Sequence, residues 1–177
     1  MEKRIRDRIE MKENFASIPF FGPGKKVIDI GCWDNIDPSI TLASKGTTVF
    51  AIDRYQKMTQ FKEKLTNSLE SKKISKEISE KIIPLKADAI NLPFPEQCID
   101  GILFLYSVSW LEQFGTEPLL AYKEVMRVLK DEGLVIITES NIERAKTQER
   151  FLNTMMKTER KDNIVIGRKF NPEEKLF

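Results

Sequence analysis

Two carboxylates, each beside or at the end of a short apolar run, are the residues in this chain whose type and spacing first suggest chemistry. The stretch Lys26-Val27-Ile28-Asp29-Ile30-Gly31-Cys32-Trp33-Asp34-Asn35 opens on a β-branched run and breaks at a glycine. A strand covered on both faces loses the polar alternation of a surface strand, so this run reads as buried. Asp37-Pro38-Ser39 then opens a helix, with Asp37 as the expected cap and Pro38 at the first helical position. Strand, tight turn and helix amino end together bring backbone N–H groups and a helix dipole to a ligand. In an open α/β sheet that turn lies at the carboxyl edge of the strands. The second carboxylate, Asp53, ends the run Thr47-Thr48-Val49-Phe50-Ala51-Ile52. An acidic residue roughly twenty positions past a glycine turn accepts hydrogen bonds from ribose hydroxyls in nucleotide-binding βαβ units. The plainer alternative is a buried strand and a turn aspartate.

What the chain lacks narrows the chemistry further. It has no histidine, which excludes histidine-based triads, metal sites and general bases. Cys32 and Cys98 are too few and too isolated for a disulfide framework or a zinc site, so no metal is expected. The formal net charge of +2 gives no electrostatic case for nucleic acid. No apolar run approaches the roughly twenty residues that span a bilayer. Met1 to Glu13 alternates charges without an apolar centre, so a secretory leader is not expected and a cytoplasmic setting is.

The elements that must position these carboxylates follow in order. Ile5 and Ile9 mark a modest amphipathic helix over residues 1–15, read as docked on the domain edge in preference to a substrate lid. Met58, Phe61, Leu65 and Leu69, then Ile74, Ile78 and Ile82, predict one broken helix or two between Tyr55 and Lys81. Its lysine-rich side reads as solvated surface in preference to a polyanion-binding face. Residues 82–88 read as a third strand, on an edge because of Pro84. Residues 99–106 form a strongly apolar fourth strand, and a helix from Pro118 to Lys130 leads through Gly133 to a fifth, Leu134 to Thr138. This alternation predicts a doubly wound, mostly parallel sheet with helices on both faces. Ser140-Asn141-Ile142-Glu143 has capping-box spacing for a helix running towards Lys157, and Ile164-Val165-Ile166 reads as a last short strand. The whole chain, residues 1–177, reads as a single domain: an amino-terminal helix and loop (1–21), a core (22–139) and a carboxyl-terminal helix and strand (140–177).

The chain resembles class I S-adenosylmethionine-dependent methyltransferases, most closely the group similar to quinone-biosynthesis methyltransferases. The resemblance rests on Val-Ile-Asp-Ile-Gly-Cys (27–32), Val-Phe-Ala-Ile-Asp (49–53), Ala-Asp-Ala (87–89) before Leu-Pro-Phe (92–94), Ile-Asp-Gly-Ile (99–102) and Glu-Val-Met-Arg-Val-Leu-Lys (124–130), in that order. It implies the Rossmann-like methyltransferase fold and S-adenosyl-L-methionine as cofactor. It also implies roles. Asp29 and Gly31, with Cys32 and Trp33, shape the turn beside the cofactor's methionine part. Asp53, followed by Arg54, holds the ribose hydroxyls; Asp88 holds the adenine amino group and Ala89 touches the ring edge. Leu105, Tyr106 and Ser107 border the reacting methyl group, and Trp110 offers a stacking surface on the substrate side. The chain departs from the family's Gly-x-Gly-x-Gly at Trp33 and Asn35, and only one of the two strands that usually follow the fifth is expected.

A sulfonium methyl is already activated, so its in-line transfer needs alignment more than acid or base. Should a base be needed, Tyr106 and Glu112 are the titratable candidates. No Asn/Asp-Pro-Pro-Tyr/Phe follows the fourth strand, which counts against amide and adenine nitrogen as acceptors. The acceptor, small or macromolecular, and the oligomeric state are not encoded in any recognisable motif. The competing expectation is a methyltransferase-like binding or regulatory protein without catalysis. A nicotinamide-dependent oxidoreductase is disfavoured by the missing second and third glycines.

Overall fold

The computed structural model describes residues 21–54, 57–108, 111 and 118–170. Seven strands form one sheet: β1 (Lys26–Ile30), β2 (Thr48–Asp53), β3 (Ile82–Lys86), β4 (Ile99–Leu105), β5 (Leu129–Thr138), β6 (Met156–Lys161) and β7 (Ile164–Lys169). Between them lie α1 (Asp37–Ser44), α2 (Lys57–Glu70), α3 (Lys76–Glu80), α4 (Pro118–Val128) and α5 (Ile142–Leu152). The strand order is β3-β2-β1-β4-β5-β7-β6. The first five strands are parallel, and β7 runs antiparallel to both β5 and β6. This is the Rossmann-like methyltransferase fold, an α/β sheet with helices on both faces.

The central strands are apolar throughout because both of their faces are covered. Val27 of β1 packs with Val49, Leu103, Ile136, Leu42 and Phe21 on one face. Ile28 and Ile30 pack with Ile102, Phe104, Val135 and Tyr122 on the other. Tyr122 of α4 meets Phe104 edge-on at 5.8 Å, and its hydroxyl donates to Gln148 of α5 at 2.6 Å, which ties the two helices over that face. Pro84 is tolerated because β3 is an edge strand, as expected.

Four details differ from the sequence reading. A second strand does follow the fifth: β6 was missed because only Met156 of Met-Lys-Thr-Glu-Arg-Lys is buried, and pairing with β7 holds it extended. Helix α5 stops at Leu152, short of Lys157, and its cap is Asn141 rather than Ser140, with Asn141 Oδ1 accepting from the Arg144 N–H at 3.0 Å. Asp37 is the first residue of α1 rather than its cap; Asn35 Oδ1 accepts from the Asp37 N–H instead, at 3.4 Å. Helix α4 ends at Val128, and β5 begins earlier than Leu134, at Leu129. The segment between Tyr55 and Lys81 resolves into α2 and α3. The expected amino-terminal helix lies outside the described residues.

Candidate active site

The strand order reverses between β1 and β4, and a crevice opens there at the carboxyl ends of the strands, where open α/β sheets bind ligands. Its cavity has a volume of about 400 Å³, inside the range of small-molecule sites.

The first wall is the turn after β1. Gly31 sits at φ +72°, in the left-handed region, and its N–H donates to the Ile52 carbonyl at 2.8 Å. A Cβ at Gly31 would lie 2.6 Å from Ser107 Cβ. Ser107 is drawn this close because its hydroxyl donates to the Ile30 carbonyl at 2.7 Å, which joins the β4 exit to the β1 turn. Trp33 occupies the left-handed region as well, at φ +52°. That conformation is costly for a bulky residue. It turns the Trp33 N–H onto Asp53 Oδ2 at 3.0 Å and leaves the residue 40% exposed, on the wall of the cavity. Asp34 is pinned by Lys64 of α2, whose ammonium lies 2.6 Å from its carboxylate.

The remaining walls come from β2, β3 and β4. Asp53 is buried at the end of β2. Arg54 follows it and pairs with Asp88 at 3.3 Å across the β2–β3 exit. Asp88 Oδ1 also accepts from the Ile90 N–H at 3.3 Å, which shapes the loop carrying Ala89. That loop is held from behind: Arg127 of α4 donates to the Leu92 and Phe94 carbonyls, while Glu124 accepts from the Leu92 N–H at 2.8 Å. Beyond β4, Leu105, Tyr106 and Ser107 close the crevice, with Tyr106 at φ +58°. Strained backbone of this kind gathers at functional sites.

Asp29 is the electrostatic centre of the turn. It is 1% exposed; its Oδ2 accepts from the Ser39 hydroxyl at 3.4 Å, and its Oδ1 has no hydrogen-bond donor. Burial pushes its carboxyl up to about 7, against the opposing pull of the Ser39 hydroxyl, and the charge of Asp53 adds to the rise. The Cys32 thiol is pushed up too, by burial and then by the charges of Asp29, Asp53 and Asp34, so it is a protonated wall residue and not a nucleophile.

Asp29, Gly31, Cys32, Trp33, Asp53, Arg54, Asp88, Ala89, Leu105, Tyr106 and Ser107 therefore line one cavity. Glu112 and Trp110 lie outside the described residues. Sequence reasoning did not single out Ile30, Asp34, Ile52, Ala87 and Leu111, which line it too, together with Asn35, read as a departure in the first turn, and Pro38, read as the first helical position. Most flank a motif residue, and that adjacency was the available signal. Among the described residues no cluster could hold a metal ion.

The methyltransferase domain profile matches residues 28–137. The chain belongs to the methyltransferase domain family. No curated protein matches it. A SAM-dependent methyltransferase from Aquifex aeolicus is similar in structure, with TM-score 0.70 at 18% identity over 92% of this chain and 88% of its own. A candidate S-adenosyl-L-methionine-dependent methyltransferase from Methanococcus maripaludis gives TM-score 0.67 at 21% identity, over 91% of this chain and 84% of its own. The [4+2]-cyclase SpnF gives TM-score 0.59 at 23% identity over 73% of this chain, which spans 44% of the cyclase. A cyclase among these structures means that fold alone does not assign methyl transfer. The cofactor of this methyltransferase domain is S-adenosylmethionine, and the site fits it: a crevice of suitable volume at the switch point, with a buried Asp29 oxygen awaiting a donor. No helix among the described residues is long and apolar enough to cross a membrane.

Proposed function

We propose that this chain is an S-adenosylmethionine-dependent methyltransferase that moves a methyl group to an acceptor by in-line displacement. One observation carries the reading: Asp29 and Gly31 of the β1 turn, Asp53 at the end of β2 and Asp88 beyond β3 meet on a single cavity. Bound there, the cofactor supplies an electrophilic methyl on a positively charged sulfur.

The chain's own part is to hold and align. Asp29, Gly31, Cys32 and Trp33 receive the amino-acid end, and Asp53 accepts from the ribose hydroxyls while Trp33 N–H fixes its carboxylate. Asp88, steadied by Arg54, faces the adenine amino group beside Ala89. Leu105, Tyr106 and Ser107 border the methyl and exclude water from its far side. Trp110 extends the acceptor side. Alignment of this kind lowers a barrier by ~7–11 kcal/mol without a proton transfer. Where the acceptor must lose a proton, Tyr106 and Glu112 are the side chains proposed to receive it. The motifs favour an acceptor chemistry similar to that of quinone-biosynthesis methyltransferases, acting in the cytoplasm, with residues 1–177 working as one domain. The rival reading, a binding or regulatory protein without turnover, draws on Trp33 and Asn35 standing where glycines are usual.

The test is calorimetric titration with S-adenosylhomocysteine. Saturable binding is expected, weakened about a hundredfold in Asp53→Ala, the scale of losing two charge-assisted hydrogen bonds. Absence of binding at millimolar ligand would remove the proposal.

A further inference from the structure

We infer that Lys64, an exposed lysine of α2, is a positioning residue for cofactor binding: it clamps the turn after β1 in the shape the cofactor needs, where other members of the family rely on glycine. The inference rests on the cofactor reading above and deepens it with a residue that none of the sequence motifs contains.

The wall on which Lys64 acts is short and strained. The Asn35 N–H donates to the Cys32 carbonyl at 3.0 Å and closes a turn whose central residues are Trp33 and Asp34. Trp33, the first of the two, stands at φ +52°. Turns with positive φ at that position take glycine, asparagine or aspartate, because a larger side chain crowds the backbone there. Tryptophan has no such freedom, so contacts from outside the turn must hold the shape. One comes from β2, where Asp53 Oδ2 accepts from the Trp33 N–H at 3.0 Å. The other comes from α2. The Lys64 ammonium donates to the Asp34 carbonyl at 3.0 Å and to Asp34 Oδ2 at 2.6 Å. One cation thus holds a peptide group and a side chain of the same residue, which fixes the path of the backbone and not the carboxylate alone.

Packing delivers the lysine to this place. Phe61 and Leu65 of α2 are buried in one cluster with Cys32 of the turn and Ala51 of β2. Lys64 follows Phe61 by three positions and precedes Leu65, so it emerges at the border of that buried face. Its side chain is 49% exposed, and ion pairs this open to water add little to overall stability. Lys64 does not line the cavity, whereas Trp33 and Asp34 do. Its influence on a ligand therefore runs through them. A turn released from Lys64 also loosens the Trp33 N–H from Asp53, so the clamp reaches the ribose contact as well as the amino-acid end.

Calorimetry on the intact chain with S-adenosylhomocysteine tests this. Lys64→Met keeps a stem of similar length without the charge, and should weaken binding about fivefold while the urea midpoint stays within about 0.3 M of wild type. Lys64→Arg, which restores the cation, should bind within about twofold of wild type. Glycine adopts positive φ without strain, so in a Trp33→Gly background the further change Lys64→Met should cost less than about twofold. Raising salt from about 0.05 M to about 0.5 M should weaken wild-type binding about threefold and leave Lys64→Met unchanged, since an exposed pair is screened. The salt series on the unaltered chain keeps the test decisive if a variant does not fold. Salt-independent wild-type binding, unchanged affinity in Lys64→Met, or a full Lys64→Met loss in the Trp33→Gly background each overturn the inference and leave the cofactor reading standing. A Lys64→Met midpoint lowered by more than about 1 M overturns it as well, because the lysine then serves the fold at large. Absence of S-adenosylhomocysteine binding to the wild-type chain overturns the cofactor reading itself.

Discussion

Asp29→Asn should make the protein more stable above neutral pH, and the effect comes from a single buried carboxyl whose Oδ1 lacks a donor. In the unfolded chain this carboxyl has the ordinary value of 3.8, whereas in the fold burial pushes it to about 7. Between those values the folded state keeps a proton that the unfolded state has released, so raising the pH favours unfolding. The contribution of the neutral carboxyl is fully present below 3.8 and lost as pH rises through about 7. At ~1.36 kcal/mol per pH unit that displacement approaches about 4 kcal/mol at pH 8, and relaxation around the charge brings the expected gain from Asn to about 2–4 kcal/mol. Because Asp29 is 1% exposed, solvent screening does little to reduce it. In urea, with a slope near ~2 kcal/mol/M, the midpoint of Asp29→Asn should exceed wild type by about 1–2 M at pH 8. Near pH 4.5 the two midpoints should converge to within about 0.5 M. An Asp29→Asn midpoint equal to or below wild type at pH 8 would refute the reasoning, as would an equal gain at both pH values.

Three further outcomes follow from the same geometry. Gly31→Ala places a methyl 2.6 Å from Ser107 Cβ on a left-handed backbone, and should cost about 2–4 kcal/mol in urea denaturation and abolish S-adenosylhomocysteine binding. Arg127→Ala frees the Leu92 and Phe94 carbonyls, so amide exchange at Phe94 should accelerate at least about tenfold while β1 amides keep their protection. A thiol reagent at neutral pH should label Cys98 and spare buried Cys32 until denaturant is added, read by intact mass.

Much of the carboxyl edge was legible because each wall of the crevice is carried by a local motif. The Asp29-Ile-Gly31 turn, Asp53 and Asp88 are each set by their own strand, and the order of parallel strands then brings the three together. What escaped was relational. Nothing local tells Asp34 that Lys64 will reach it from α2, or Asp88 that Arg54 will cross from β2. The hydroxyl of Ser107 reads as an ordinary polar residue until β4 is laid beside β1. Strand β6 escaped for a different reason: Lys157, Thr158, Glu159, Arg160 and Lys161 carry no apolar alternation, so its extended form comes from β7 and not from its own composition. The cap of α5 lies one residue past the expected Ser140, at Asn141, and Asp37 falls inside α1, whose N-cap Ile36 has no side chain able to cap, since only backbone geometry chooses among neighbouring positions.

The position of β4 has a consequence for how the molecule comes into being. Every described residue that lines the crevice precedes position 112, yet β4, whose first six residues are buried, is sandwiched between β1 and a strand that starts at Leu129. A chain emerging from the ribosome therefore assembles its ligand cup early, with one greasy flank of that cup still open to unwanted neighbours. The later third shuts this flank and finishes the sheet in a lysine- and arginine-bearing border, β6, that discourages strangers from pairing.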